Sequence, residues 1–210
     1  MLLAIDTSAG TSVAVVDLAR GVIAELSTTD TMRHAEVVGS MIADCLREAD
    51  VPVSALSAVV GGMGPGPFTG LRVGIAAARV FALGAGVPFV PVVSHDALAF
   101  GRYQAGHTGP LAVVTDARRR EVNWSVYSGA DAVGLPIRVD GPGVAKPAVL
   151  LEDEWLHAAV PRFDAVAVSA GELGLVAELM WAHQRPFAAD EALYLRSPDV
   201  TLSNGPKRVS

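Results

Sequence analysis

Residues 61–72 read Gly61-Gly62-Met63-Gly64-Pro65-Gly66-Pro67-Phe68-Thr69-Gly70-Leu71-Arg72. No helix or strand runs through such a string. Proline fixes φ and removes a backbone donor, and glycine reaches conformations closed to other residues. The string is therefore a shaped loop. Ser57 to Gly62 before it is largely apolar, as a strand buried on both faces would be. After it, Thr69 to Gly84 has helical character. A glycine-rich loop between a strand and a helix start offers free N–H groups to an anion. It is not a P-loop, because the Gly-Lys-Ser/Thr ending is absent. Its other role is conformational, with glycines supplying positive φ. Spacing does not choose between the two.

The flanking elements follow from periodicity. Leu2–Asp6, Thr11–Leu18 and Val22–Leu26 are short apolar runs separated by turn formers, which predicts an antiparallel meander. His34–Ala49 places Val38, Met41, Ile42, Cys45, Leu46 and Ala49 at helical spacing. Val87–Val93 predicts a buried strand, and Ser94–Gln104 a helix with Ser94 as N-cap. The second half partly restarts: Leu111–Thr115 echoes Leu3–Thr7, and Glu121–Ser128 and Pro136–Val139 read as strands. Ala148–Ala159 reads as a helix, Asp164–Ser169 as a buried strand and Glu172–His183 as a helix. The expectation is a duplicated α/β protein with a cleft between its halves, residues 1–105 and 106–201, and a flexible tail at 202–210.

Composition narrows the class. Hydrophobic residues make up 51% of the 210 and charged residues 18%, against about 25% charged in a typical domain. The mean hydropathy is +0.40. A disordered chain would be apolar-poor and charge-rich. Val51–Leu71 and Val80–His95 are uncharged but broken by prolines, so neither is the run of about 20 helical residues that a membrane span needs. Asp6 interrupts the short apolar N-terminus, which lacks a basic region, so no signal peptide is expected. A cytoplasmic protein is expected, its apolar surface hidden in a core or against a partner. The net charge of −6 disfavours binding nucleic-acid phosphates alone.

Several residues could carry chemistry. Asp6-Thr7-Ser8, at the end of the first strand, would either hold a metal-bound phosphate or satisfy the turn backbone. Asp116 precedes Arg118-Arg119-Arg120, which reads as a solvated turn. Gly70, Gly74, Ala76, Ala77, Ala78, Ala82 and Gly84 give the second helix a small-residue lining, for close packing on the sheet or for a helix–helix interface. His34, His95, His107, His157 and His183 show no metal-ligand spacing and read as surface or capping residues. Cys45 is the sole cysteine and reads as a core residue, and no G-x-S-x-G elbow occurs.

Gly64-Pro65-Gly66-Pro67-Phe68-Thr69-Gly70-Leu71-Arg72-Val73-Gly74 resembles the G-P-G-S-F-T-G-x-R-x-G signature of the TsaB (YeaZ) family. Leu3–Thr7, Arg33-His34, Asp116-Ala117-Arg118 with Glu121-Val122 and Trp124, and Tyr194-Leu195-Arg196 resemble other motifs of that family, in order along the chain. Pro67, Asn123 and Ala192 depart from its usual residues. The resemblance implies an α/β fold of the actin/sugar kinase/heat-shock chaperone class, with two RNase H-like halves in β-β-β-α-β-α order. It also implies a non-catalytic role in making threonylcarbamoyladenosine beside the tRNA anticodon. In that role the chain binds a TsaD-like protein, with a TsaE-like ATPase, and touches tRNA only through the complex. TsaD-like relatives carry H-x-x-x-H where this chain has Ser94-His95-Asp96-Ala97-Leu98-Ala99, and a paired-glycine turn where it has Ser169-Ala170-Gly171-Glu172. No catalytic or metal residue is therefore expected, and ATP and metal belong to the partners. The expected partner face comprises Val38, Met41, Ile42, Cys45, Arg72, Ile75 and Arg79, and serves a homodimer when the partner is absent. The alternatives are an ATP-dependent phosphotransferase using Asp6, Thr7 and Asp116, and a metallopeptidase-like enzyme.

Overall fold

The computed structural model describes residues 1–147 and 160–196. The predicted helix at 148–159, His157 and the tail lie outside them. Apolar residues on both sides of β1 (Leu2–Asp6) and β2 (Thr11–Asp17) oblige this hairpin to be covered on both faces, and it is. Joined by β3 (Gly21–Thr28), β4 (Ala58–Gly62) and β5 (Phe89–Val92), they form a mixed sheet of order β3-β2-β1-β4-β5. β1 runs antiparallel to β2 with Leu3 opposite Val15, and parallel to β4 with Leu3 opposite Val59.

One face carries Leu3, Ile5, Val13, Val15 and Val59 against α1 (His34–Glu48) and α2 (Phe68–Ala85). The other carries Leu2, Ala4, Ala14, Val16 and Val60 against α3 (Ser94–Gln104) and the last helix, α4 (Ala170–Ala182). α4 lies flat on the sheet because of Gly174: a Cβ there would come within 2.6 Å of the Val16 side chain.

The second sheet, of order β8-β7-β6-β9, comprises β6 (Leu111–Asp116), β7 (Val122–Ala130), β8 (Pro136–Ala145) and β9 (Arg162–Ala165). One antiparallel and one parallel neighbour for β6 repeat the arrangement around β1. The strands of the first sheet precede residue 105 and those of the second follow it. The last helix and residues 186–196 then cross back onto the first sheet.

Two local expectations are corrected. The apolar run Asp164–Ser169 is not a buried strand. β9 occupies residues 162–165, and Val166 then turns out to 84% exposure while Val168 is buried. β9 is an edge strand paired only with β6, so sheet hydrogen bonds do not hold the chain beyond Ala165. Ser94 is not an N-cap: it lies in the first turn of α3, and no side-chain cap bond is made there. By length and apolar composition α2 does qualify as a span, with hydropathy 1.3 over 18 residues. Its inward side, Gly70, Leu71, Gly74, Ile75, Ala78 and Ala82, is nevertheless buried in this fold.

Cys45 is fully buried between α1 and the sheet, its thiol directed at Val13 O (3.5 Å) and Ala24 O (3.6 Å). Burial pushes the thiol up to about 11. Near neutral pH a thiol reagent is therefore expected to modify Cys45 only as fast as the protein opens. Mass spectrometry of alkylation against urea checks this, and labelling within minutes in native buffer would contradict it.

Candidate functional site

The turn after β1 is organised by Asp6, which is 2% exposed. Its Oδ1 accepts the Ser8 N–H (2.8 Å) and the Ser8 hydroxyl (2.6 Å). Its Oδ2 accepts the Ser94 hydroxyl at 2.5 Å, and Ser94 Oγ in turn accepts the Gly64 N–H at 3.0 Å. Burial raises the Asp6 pKa, while the Ser8 and Ser94 hydrogen bonds and the nearby His34 pull it back. The side chain thus satisfies the turn, as one of the two readings has it, and also ties β1 to the glycine string and α3. The sequence gives Ser94 only a capping role, and the signal for more is its position directly after a buried strand.

The glycines are required by contact. A Cβ on Gly62 would overlap Asp6 Oδ2, and one on Gly74 would overlap Thr7 Oγ1. A Cβ on Gly66 would lie 2.7 Å from Ser8 O, and one on Gly70 2.6 Å from Thr7 O. Thr7 Oγ1 donates to Gly70 O at 2.6 Å. The string lies directly on the first hairpin turn, and side chains at these positions would lift it off. Gly64 adds a backbone φ of +92°. The small residues at 70, 74, 78 and 82 of α2 therefore serve close packing within this chain.

The second half contributes the β6–β7 turn. Asp116 is exposed, its Oδ1 accepting the Arg118 N–H at 3.0 Å. Asp6 is occupied by Ser8 of its own turn and by Ser94, and Asp116 by Arg118 of its own turn. Arg118, Arg119 and Arg120 all have positive φ, at 65°, 53° and 60°. Arg118 also donates to Thr31 in the first half at 2.5 Å. A strap over residues 186–196 then crosses both halves. Leu193 N–H donates to Met63 O (2.9 Å), Arg79 pairs with Asp190 (2.5 Å), Tyr194 meets the Phe68 ring at 4.8 Å, and Arg196 pairs with Glu121. Beneath it lies a cavity of about 400 Å³ between Pro67–Thr69 and Ala117–Arg119. A second cavity of about 320 Å³ lies on the other side of Arg118 and includes Ser8 and His34. Arg118 borders both. The reading of Arg118-Arg119-Arg120 as a solvated turn agrees with the structure, where all three are exposed and the Arg118 side chain is 51% accessible, although Arg118 and Arg119 also line the cavity. Sequence reasoning missed the strap because its contacts lie 75 or more residues away along the chain.

Two histidines depart from the surface reading. His34 is buried, with Nδ1 2.8 Å from Thr11 Oγ1. His95 is fully buried, its ring nitrogens 2.9 Å from Ser125 Oγ and 3.0 Å from Thr115 Oγ1. Burial pushes His95 down to about 3, so it is a neutral link between α3 and the second sheet. Among the described residues no group of three or more His, Cys, Asp and Glu converges.

The expected partner face divides. Val38, Ile42, Cys45 and Ile75 are buried in the chain's own core and present no free surface, because α1 and α2 turn these residues onto the sheet or the glycine string. Met41 is half-buried, and Arg72 and Arg79 are exposed. The outward side of α2 instead shows Val80 at 68% and Leu83 at 83% exposure. Helical spacing gives the buried stripe; it does not mark which further apolar residues are left outside.

Two mixed sheets sharing α3 and α4, with a glycine string laid on the first hairpin, define the class of protein. Two Pseudomonas aeruginosa structures have this fold. One, described as an uncharacterized protein with similarity to peptidase YeaZ, matches with a TM-score of 0.78 and 27% identity over 93% of this chain and 99% of that one. The other, YeaZ, matches with a TM-score of 0.68 and 29% identity over 87% and 92%. The family model described as TsaD, tRNA N6-adenosine threonylcarbamoyltransferase, matches residues 17–155. An uncharacterized Mycobacterium tuberculosis protein is 39% identical over 85% of this chain and 82% of its own length. The tRNA threonylcarbamoyladenosine biosynthesis protein TsaB of Escherichia coli is 30% identical over 59% of this chain and 55% of its own length. The chain belongs to the TsaB (YeaZ) branch of the TsaD family.

Two predictions follow from the site geometry. Gly74→Ala forces the added methyl into Thr7 and is expected to destabilise the fold by roughly 1–3 kcal/mol. Chemical denaturation checks it, and an unchanged midpoint would contradict it. Glu172 is pushed up to about 7 by burial and by Glu25 nearby. Between the ordinary glutamate value of 4.5 and about 7 the folded state holds the proton more tightly than the unfolded chain. Stability from this group is therefore full in acid and is lost as pH rises through that window. Glu172→Gln is expected to match the parent in acid and to exceed its Tm increasingly up to about pH 7. Thermal melts across pH check this, and a Tm difference independent of pH would contradict it.

Proposed function

We propose that this chain acts in tRNA threonylcarbamoyladenosine biosynthesis as a non-catalytic subunit that binds a TsaD-like transferase. The observation that carries the reading is Asp6. Both carboxylate oxygens accept hydrogen bonds from the protein, and the group is buried against the Gly62 backbone. A metal-bound phosphate would have to displace Ser8 and Ser94. Its family relatives named TsaB are biosynthesis proteins of this modification.

The reading gives the outer side of α1 and α2 to the partner. Val80, Leu83 and Met41 supply the apolar contact and Arg72 and Arg79 its edge, over the buried Val38, Ile42, Cys45 and Ile75. Large exposed apolar residues grouped on one helix face suit a protein interface. In isolation the same face would serve a homodimer. ATP, metal and the TsaE-like ATPase belong to the complex, which is cytoplasmic and contacts tRNA as a whole. Residues 1–105 and 106–201 are taken as the two RNase H-like halves.

Leu83→Asp is expected to abolish co-elution with the TsaD-like protein of the same cell and to leave the Tm of the isolated chain unchanged. Omitting the chain from a reconstituted reaction is expected to stop the modification. Undiminished co-elution of the variant, or full modification without the chain, would sink the proposal. The phosphotransferase alternative requires saturable, magnesium-dependent ATP binding, read by calorimetry.

A further inference from the structure

Arg72, Ala76, Val80 and Leu83 follow one another at helical spacing along α2, and all are exposed. They make one outward stripe about 16 Å long. Its far end is apolar, with Val80 at 68% and Leu83 at 83% exposure. Its near end is a guanidinium. Arg79, beside the stripe, is already paired with Asp190 of the strap. Arg72 forms no ion pair with any described residue. It borders a groove of about 610 Å³ between α2 and the strap, whose apolar lining is Ile75, Ala76 and Ala192. Glu191 lines the same groove without pairing with Arg72.

The Arg72 side chain is nonetheless held. Its guanidinium carbon lies 3.8 Å from the centre of the Phe68 ring, and its Nε donates to the Tyr194 hydroxyl at 3.4 Å. The two rings are themselves in contact at 4.8 Å. Phe68 takes one face of the planar group and Tyr194 one of its donors, which leaves the fork of terminal nitrogens open. A guanidinium fixed in this way loses little freedom on binding and suits bidentate contact with a carboxylate.

The charge on α2 also bears on which molecule covers the stripe. The helix carries two arginines and no acid. Two copies of this chain paired α2 to α2 about a two-fold axis set the stripe against itself. Arg72 then faces apolar residues or another arginine, and loses water without gaining a carboxylate. A different protein with an acid at that point carries no such penalty. Selectivity of this kind combines a repulsive element with an attractive one.

We propose that Arg72 selects the partner: it receives a carboxylate from the TsaD-like protein and disfavours a second copy of this chain on the same face. This rests on the TsaD-like protein binding at α2.

The test follows two equilibria of the full chain: its affinity for the purified TsaD-like protein of the same cell, by calorimetry, and its self-association, by sedimentation. Arg72→Leu is expected to weaken the first at least about tenfold and to tighten the second at least about threefold. Added salt is expected to move the parent in the same two directions, and the leucine variant less. Arg72→Lys keeps the charge and removes the fork. It is expected to weaken the complex by less than Arg72→Leu and to leave self-association as in the parent. A residue that only supports the fold would not move the two equilibria in opposite directions. The proposal alone is overturned if Leu83→Asp abolishes binding while a folded Arg72→Leu keeps it, or if Arg72→Leu self-associates no more tightly than the parent. If the leucine variant does not fold, full affinity in Arg72→Lys overturns it. Failure of the parent to bind, or full binding by Leu83→Asp, overturns the placement of the partner on α2 and this proposal with it.

Discussion

A single buried carboxylate organises the first half of this protein. Asp6 sits at the end of a strand with almost no access to water, so its charge must be met by donors from the chain. Ser8 meets one oxygen and Ser94 the other. Hydrogen bonds to a charged group contribute about 1.5–3 kcal/mol each, and an unmet one costs as much or more. That need draws the start of α3 and the Gly64 backbone onto the first hairpin. The glycines follow, since Gly62, Gly66, Gly70 and Gly74 are where the string touches Asp6, Ser8 and Thr7. A motif rich in glycine between a strand and a helix thus works here as a fitted surface. The same hydrogen bonds withdraw Asp6 from solvent.

The helix that leaves the string faces two ways. Its small residues let it lie close to the sheet and the hairpin turn, and its opposite side leaves Val80 and Leu83 in water. The low charge content has the same origin: one sheet is covered on both faces, and one helix is apolar on its outer side as well. Burial accounts for the first. The second is unexplained within the isolated chain, and this is the physical basis for assigning the face to a partner.

The halves are joined by polar as well as apolar contacts. Tyr127 donates to Asp96 at 2.7 Å, and Arg138 forms an ion pair with Asp96 at 3.3 Å without a hydrogen bond from its Nε. Burial raises the pKa of Asp96, against the lowering effect of Arg138 and Tyr127. With His95 between Ser125 and Thr115, the first turn of α3 is fixed to the second sheet. The strap closes the same junction from outside through Arg196 and Leu193.

Much of this was legible in the residues. The order β-β-β-α-β-α-β-α over the first hundred residues follows from apolar period and punctuation, because each element there is long, strongly patterned and bounded by glycine or proline. Cys45 was placed in the core by the same spacing. Local pattern misjudged Val166–Ser169, where an apolar run leaves an edge strand, and Ser94, whose hydroxyl serves a carboxylate 88 residues away. It also placed Val38, Ile42, Cys45 and Ile75 on an interface, since periodicity names the apolar stripe and not which of two surfaces covers it. The sequence by itself determined the elements of the first hundred residues and a shaped glycine loop at residues 61–72. Only the tertiary structure decided that Asp6 faces inward, that Arg118 and Arg119 border a cavity with the glycine string and that Leu83 stays in water. Each of those outcomes depends on side chains brought together across long stretches of chain, and no local spacing encodes that distance.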